Sequence, residues 1–342
     1  MTDSITHVGI DTGNGYTKIT HTDNTGEINH LKVKSNVSQE ASQVETMTGG
    51  KYSLDVIEME INGVPFIVGN GIEGFPTEST QYSLGHGKLA MIYASMAKAG
   101  ISGQVNLVAT MPFNFYFDSM GKPRRDLIKK HNELLTTSVS FTNSNIPKIS
   151  IATTTTLPEG WAVFYNLLLS DKKFRSQSTL IYDIGSGTVE RIICRPNGQV
   201  DMKYSLSKER DYGVHSIFDP VRYDLMQLVQ EKYGRMPTIT DNALSKAIQT
   251  KVIHIYGTDI DCANIVDNHL TLLTGRLRAV MTSQMGDADD FDAIVFAGGG
   301  ARLLEPFLQD PYWYSNDKRF LFLDEYANAN SCLAVAERQA SE

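Results

Sequence analysis

Short apolar runs, separated by turns rich in Gly and Asn, alternate with stretches of helical spacing along most of the chain. Residues 7–20 predict a hairpin about Gly13-Asn14-Gly15, because Asn-Gly tolerates the positive φ of a tight turn. Asn62-Gly63, between Val56–Ile61 and Val64–Val68, predicts a second hairpin, and Asn197-Gly198 leads into a strand over Gln199–Ser205. Residues 36–54 are polar and read as loop. Further strands are predicted at Val105–Thr110, Ile149–Thr155, Thr179–Tyr182, Val189–Cys194, Asp292–Phe296 and Phe320–Leu323. Helical spacing marks Lys88–Ala99, Arg124–Leu135, Trp161–Leu169, Gly213–Lys232, Asn242–Lys251, Ala263–Ser283 and Tyr326–Arg338. Pro158-Glu159-Gly160 reads as the opening of the apolar helix that follows. Strands and helices alternate in both halves, so the class is α/β.

One phrase occurs twice within this pattern. Ile10-Asp11-Thr12-Gly13-Asn14-Gly15-Tyr16-Thr17-Lys18 and Tyr182-Asp183-Ile184-Gly185-Ser186-Gly187-Thr188 each place a carboxylate at the end of an apolar strand, before a glycine turn. The copies lie about half the chain apart, which suggests two related domains facing one ligand. Backbone N–H groups in such turns form anion-binding nests, and glycine admits close approach by phosphate oxygens. Lys18 can add a point charge. Asp11 and Asp183 would repel bare phosphate, but make sense with Mg²⁺ held between them through water. Ala297-Gly298-Gly299-Gly300-Ala301 ends a buried strand with three glycines, which either accept a flat ligand against bare backbone or give a helix N-terminus clearance. Arg302 begins the short helix after them.

Other glycine spellings carry less. Gly69-Asn70-Gly71-Ile72-Glu73-Gly74 matches a dinucleotide fingerprint, but Phe75-Pro76 follows at once and opposes a helix there, so it reads as surface loop. Gly87-Lys88 runs into Leu89 and is no Walker A loop. The 342 residues favour two domains, and 41% hydrophobic content is enough for real cores. A net charge of −8 argues against sequence-independent DNA binding. The local cluster Lys122, Arg124, Arg125, Lys129 and Lys130 reads as a solvated helix face. Cys194, Cys262 and Cys332 are far apart, lack metal-ligand spacing and read as buried thiols of a cytoplasmic protein. The start of the chain lacks the pattern of a signal peptide, and no apolar run approaches the roughly 18 residues of a membrane span.

Together these motifs resemble the actin/Hsp70/sugar-kinase ATPase superfamily, in the order Asp11–Lys18, Pro158–Leu169, Asp183–Thr188, Ala297–Ala301, Tyr326–Arg338. Three further segments resemble the plasmid-segregation actins of the ParM/StbA type: Val105–Asp118, Arg210-Asp211-Tyr212-Gly213-Val214, and Tyr326-Ala327-Asn328-Ala329-Asn330. The resemblance implies two actin-like (ribonuclease H-like) domains around a central nucleotide cleft. The first would span 1–157, with helix 325–342 returning to it, and the second 158–324.

It also implies ATP hydrolysis with Mg²⁺, coupled to assembly of a polar filament. The filament would move plasmid or other low-copy DNA through a small adaptor of ParR type, touching DNA only indirectly and no membrane. Gly13, Asn14, Gly15, Lys18, Gly185, Ser186, Gly187 and Thr188 would hold phosphates, and Gly298, Gly299, Gly300 and Arg302 the nucleoside. Asp11 and Asp183 would hold the metal through water. The catalytic position falls on Glu159, or on Thr155 if the alignment shifts. Glu190 stands where the family usually has Asp.

Overall fold

The computed structural model describes residues 5–23, 25–39, 56–69, 72, 74, 82, 84–202, 205–209, 212–285, 290–308 and 319–341. Most of the polar segment 36–54, part of the Gly69–Gly74 loop, and Arg210 and Asp211 lie outside them. In chain order the elements are β1 (Thr6–Thr12), β2 (Tyr16–Thr22), β3 (Ile28–Lys34), β4 (Val37–Ser38), β5 (Ile57–Ile61), β6 (Val64–Val68), α1 (His86–Lys98), β7 (Gly103–Met111), α2 (Phe113–Tyr116), α3 (Arg125–Leu135), β8 (Val139–Phe141), β9 (Ile149–Pro158) and α4 (Trp161–Ser170). They continue with β10 (Thr179–Ile184), β11 (Val189–Arg195), β12 (Gln199–Val200), β13 (Leu206–Glu209), α5 (Phe218–Tyr233), α6 (Asp241–Thr250), β14 (Val252–Ile255), β15 (Thr258–Asp261), α7 (Ala263–Met285), β16 (Ala293–Ala297), α8 (Gly299–Leu308), β17 (Arg319–Phe322) and α9 (Ala327–Ser341).

The half-chain repeat is a repeat of topology. One sheet has the order β3-β2-β1-β7-β9, the other β12-β11-β10-β16-β17, with β13 also on β11. Each joins an antiparallel hairpin to two further strands that run parallel to its first strand. The chain is thus a mixed α/β protein with two related sheets. Val8, Ile10 and Ile181 are fully buried, and all five residues of β16 are inaccessible, as expected where helices cover both faces.

Two helices link the sheets. α4 puts Val163 and Phe164 against Ile181, Ile192 and Val295 of the C-terminal sheet. Its Ala162 meets Cys332, Val335 and Ala336 of α9 and Val108 of the N-terminal sheet. α9 crosses β1 at Gly9, where a Cβ would lie 2.1 Å from the Ala329 carbonyl and 2.3 Å from the Leu333 nitrogen. That close approach is why glycine stands between Val8 and Ile10 in β1.

Several expectations shift in detail. β9 runs on to Pro158 instead of ending near Thr155, so the proline closes a strand and does not open a helix. The helix begins at Trp161, after Gly160 at φ 65°. The predicted strand Gln199–Ser205 is only two residues long, and the helix predicted from Gly213 becomes α-helical at Phe218, after a 3-10 turn at Val214–Ile217. The Asn62-Gly63 hairpin forms, with both residues at positive φ. All three cysteines are buried. On α3, His131, Leu134 and Leu135 turn inward, whereas Arg125, Lys129 and Lys130 are exposed, so the basic cluster is a solvated helix face. Among the described residues, no helix is long and apolar enough to cross a membrane.

Candidate nucleotide-binding cleft

The two glycine turns meet. A Cβ on Gly15 would lie 3.0 Å from the Ser186 Cβ, so the β1–β2 and β10–β11 turns abut. Their registers match: Asp11 pairs with Lys18, and Asp183 with Glu190. Opposed residues of an antiparallel pair share one face of the sheet. The repeat therefore sets a carboxylate against an ammonium in one jaw and against a second carboxylate in the other.

Two carbonyls of each turn are engaged by the protein itself. The Ser35 hydroxyl donates to the Gly13 carbonyl at 2.8 Å, and the Ser35 amide to that of Gly15 at 3.0 Å. The Val214 amide donates to the Gly185 carbonyl at 3.2 Å and the His215 amide to that of Ser186 at 2.7 Å. Gly213 is needed there, since a Cβ would come within 2.5 Å of the Ser186 oxygen. With carbonyl oxygens tied back, an anion between the turns meets less repulsion. The Gly185 amide is not available to such an anion, because it donates to the Thr188 carbonyl at 2.9 Å.

The turns, Asp11, Asp183 and Glu159 line one cavity of about 290 Å³, near the lower bound of ligand-sized clefts, roughly 300–1,000 Å³. Lys18 Nζ donates to Asp11 at 3.0 Å, and the Thr110 hydroxyl to the other Asp11 oxygen at 3.0 Å. Burial opposes the Lys18 charge, but Asp11 and Asp183 outweigh it and hold the ammonium above the ordinary lysine range. Asp183 is pushed up by burial and by Asp11, against the pull of Lys18 and of a hydrogen bond from Asn328.

Glu159 is fixed at its backbone, where its amide donates to the Met111 carbonyl at 2.9 Å. Burial pushes its carboxyl up to about 8, with Asp11 repelling and Lys88 attracting the charge. Unfolded glutamate titrates near about 4.3. Between those values the unfolded chain releases a proton that the folded chain keeps, so stability falls as pH rises from about 4.3 to about 8. Glu159→Gln is expected to exceed wild type in stability at pH 8 by on the order of 2 kcal/mol, with the gap closing toward pH 4. Urea titrations at both pH values check this, and a pH-independent gap would contradict it.

Lys88 also faces the cleft and was not recognised in the sequence as part of it. It is 1% exposed, and its Nζ donates to the Thr110 carbonyl at 3.1 Å. Burial lowers its pKa, opposed by Glu159 and Asp11. A lysine inside an apolar helical stretch was the available signal. At the cleft mouth Lys32 pairs with Glu325 at 2.7 Å, and Lys34 donates to Asn242 of α6 at 3.0 Å, joining the two halves.

The other predicted positions divide. Gly299 and Gly300 line the cavity within the first turn of α8. Gly298, at φ 87°, serves packing, since a Cβ would lie 2.5 Å from Asp183 Oδ1 and 2.6 Å from the Ile184 carbonyl. Arg302 is exposed, pairs with Glu305 at 3.3 Å and lies off the cavity lining, because one turn into α8 the helix faces solvent. Thr155 also lies off that lining, its hydroxyl donating to Gln339 at 3.2 Å. Glu190 is buried and lines the cleft.

No group of three or more His, Cys, Asp or Glu among the described residues is placed to hold a metal directly. Asp11 is engaged by Lys18 and Thr110, and Asp183 by Asn328. That donor set fits a hydrated Mg²⁺, which keeps most of its waters, better than an ion ligated by protein alone.

Two family models match the chain: the N-terminal domain of actin-like proteins over residues 9–161, and the C-terminal domain of the archaeal actin homologue MreB-like proteins over 181–310. Compared with curated proteins, the sequence matches none. Among solved structures, the archaeal actin homologue Ta0583 is 15% identical, with a TM-score of 0.73 over 98% of this chain and 100% of its own. Its complex with ADP gives 16%, 0.69, 98% and 100%. A 15-stranded ParM filament from Clostridium botulinum gives 15%, 0.68, 98% and 99%. At such identities the structural likeness concerns the fold. The two domain matches leave only residues 162–180 and the ends of the chain outside, and they fall on the two halves that repeat each other in topology. The chain belongs to the actin-like proteins and has the two-domain fold shared by ParM and the archaeal actin homologues.

Proposed function

We propose that this is an ATP-dependent, filament-forming actin-like protein that hydrolyses ATP between its two halves. The domains would divide at residues 157/158, with the last helix returning to the first. The observation that carries it is the meeting of two glycine turns over a cavity lined by Asp11, Asp183 and Glu159. An ADP complex of one structural neighbour and a filament of another support it.

In this mechanism the amides of Gly13, Asn14, Gly15, Ser186, Gly187 and Thr188 receive the phosphates, and Lys18 neutralises their charge. Gly299 and Gly300 leave room on the nucleoside side. Asp11 and Asp183 would hold Mg²⁺ through water, and the ion would neutralise charge on the phosphate oxygens. Glu159 orients and deprotonates the attacking water, a role to which a carboxyl poised near neutral pH is suited. Lys88 lies behind it as a counter-charge. Phosphoryl transfer needs mainly positioning and electrostatic stabilisation, so closure of the halves by filament contacts sets the rate. Each tenfold in rate needs only about 1.4 kcal/mol. Hydrolysis then weakens the filament and turns it over. The cargo would be plasmid or other low-copy DNA in the cytoplasm, held through a small adaptor, as the net charge of −8 disfavours direct contact.

Light scattering and phosphate release, followed together after adding ATP and Mg²⁺, test the reading. Scattering should rise and then decay as phosphate appears, and EDTA should abolish both. Phosphate transfer to a small acceptor without scattering would assign the cleft to a kinase.

A further inference from the structure

α9 is fixed to the N-terminal sheet. It touches β1 at Gly9, takes the Thr20 hydroxyl on Asn330 at 2.9 Å, and takes the Asn106 amide on its Ala336 carbonyl at 2.9 Å. One residue near its start reaches across to the other half. Asn328, 4% exposed, donates through Nδ2 to Asp183 Oδ2 at 2.6 Å and accepts on Oδ1 from the Gly160 amide at 3.0 Å. The partners fix the orientation of the carboxamide, because a carboxylate needs the N–H and an amide needs the oxygen.

The Gly160 amide sits directly after Glu159. On one side this turn hangs from the N-terminal sheet, through the bond from Glu159 to Met111. On the other it presses on the C-terminal sheet, where a Cβ on Gly160 would lie 2.2 Å from Ile192 Cδ1. Asp183 belongs to that same sheet. A rotation of the C-terminal sheet against α9 would therefore load both bonds of Asn328 and shift Glu159.

We propose that Asn328 is a positioning residue that ties the Glu159 turn to Asp183, so that the relative setting of the two halves is passed to the group that orients the attacking water. This rests on the nucleotide reading of the cleft. A buried bond to a carboxylate is among the stronger hydrogen bonds, and a side chain without both a donor and an acceptor cannot make the tie. Asn328→Asp keeps the shape but loses the donor and sets a carboxylate beside Asp183.

The test compares wild type, Asn328→Ala and Asn328→Asp by single-turnover phosphate release, binding of a fluorescent ATP analogue, thermal melting, and hydrogen exchange of the peptide over 157–161 in the nucleotide-free protein. A misplacement of about 1 Å costs up to ~100-fold in rate, so the alanine variant should release phosphate at least about tenfold more slowly. Its nucleotide affinity should stay within about threefold, its melting temperature should fall by only a few degrees, the cost of the two buried groups left unpaired, and exchange at Gly160 should quicken. The aspartate variant should be slower still. Affinity and melting temperature falling in step with the rate, equally in both variants, would overturn the proposal in favour of simple support of α9. Unchanged exchange at Gly160 would overturn it without reference to nucleotide. A wild type that neither binds nor hydrolyses ATP would instead overturn the nucleotide reading, and the exchange measurement would still judge the tie.

Discussion

Glu159→Gln should lower steady-state phosphate release by about 100-fold or more, the scale of a lost general base, while leaving ATP affinity nearly unchanged. Glutamine keeps the volume and can still hydrogen-bond water, but it cannot take a proton. The backbone that holds the residue, with its amide on the Met111 carbonyl, is untouched by the change. Filaments should still form with ATP and should persist, because the event that weakens them is removed. A coupled phosphate assay with sedimentation over the same time course reads both effects. Turnover within threefold of wild type would remove Glu159 from the reaction. Thr155 would not inherit the role, since its hydroxyl is engaged by Gln339 away from the cavity. The same substitution should stabilise the nucleotide-free fold above neutral pH. Loss of activity with gain of stability is the mark of a carboxylate kept for chemistry and not for packing.

Gly9→Ala should destabilise the fold by about 3 kcal/mol or more, at the upper end of overpacking costs. The new methyl carbon would lie 2.1 Å from the Ala329 carbonyl and 2.3 Å from the Leu333 nitrogen, both main-chain atoms in the first half of α9. Neither atom can turn aside as a side chain could, so the helix must lift from β1. Lifting it disturbs Asn328 and Asn330 together, and through Asn328 the Asp183 and Gly160 contacts. Differential scanning calorimetry should show a melting temperature lower by roughly 5–10 °C, from the usual few degrees per kcal/mol. Gly100→Ala is the comparison for the loss of a glycine as such: it sits at φ 72°, but with open space about its Cβ, and should cost less. Equal losses at the two positions would contradict the close-packing account of Gly9.

The hairpin geometry was legible because its determinants are local. Asp before a glycine turn and Lys seven residues on specify a pair that the β1–β2 register brings together, and the same offset brings Asp183 to Glu190. Element boundaries set by tertiary position were not legible. Pro158 reads as a helix starter, yet among the described residues β9 is the outer strand of its sheet, beside β7, and an edge position tolerates a residue without an N–H. The hairpin Val252–Ile255/Thr258–Asp261 turns at Tyr256-Gly257 and lacks the Asn-Gly signal present at Asn14-Gly15 and Asn62-Gly63. Lys88 was hidden for the opposite reason. A lysine in an apolar helix reads as a surface break, and only the fold places it behind Glu159 and Asp11. The resemblance places Arg302 at the nucleoside, but α8 already begins at Gly299 and carries residue 302 outward. Asn328 could be picked out only as part of an Ala-Asn pattern, and its reach from α9 to Asp183 is a property of the assembled halves.

A single nucleotide between the two glycine turns is what the proposed mechanism requires, and a crystal structure of the protein grown with ADP and Mg²⁺ decides it. Diphosphate density is expected against Gly13–Gly15 on one side and Ser186–Thr188 on the other, within reach of Lys18, with the base toward Gly299 and Gly300. Nucleotide density elsewhere on the molecule, with the turns still abutting at Gly15 and Ser186, would contradict it.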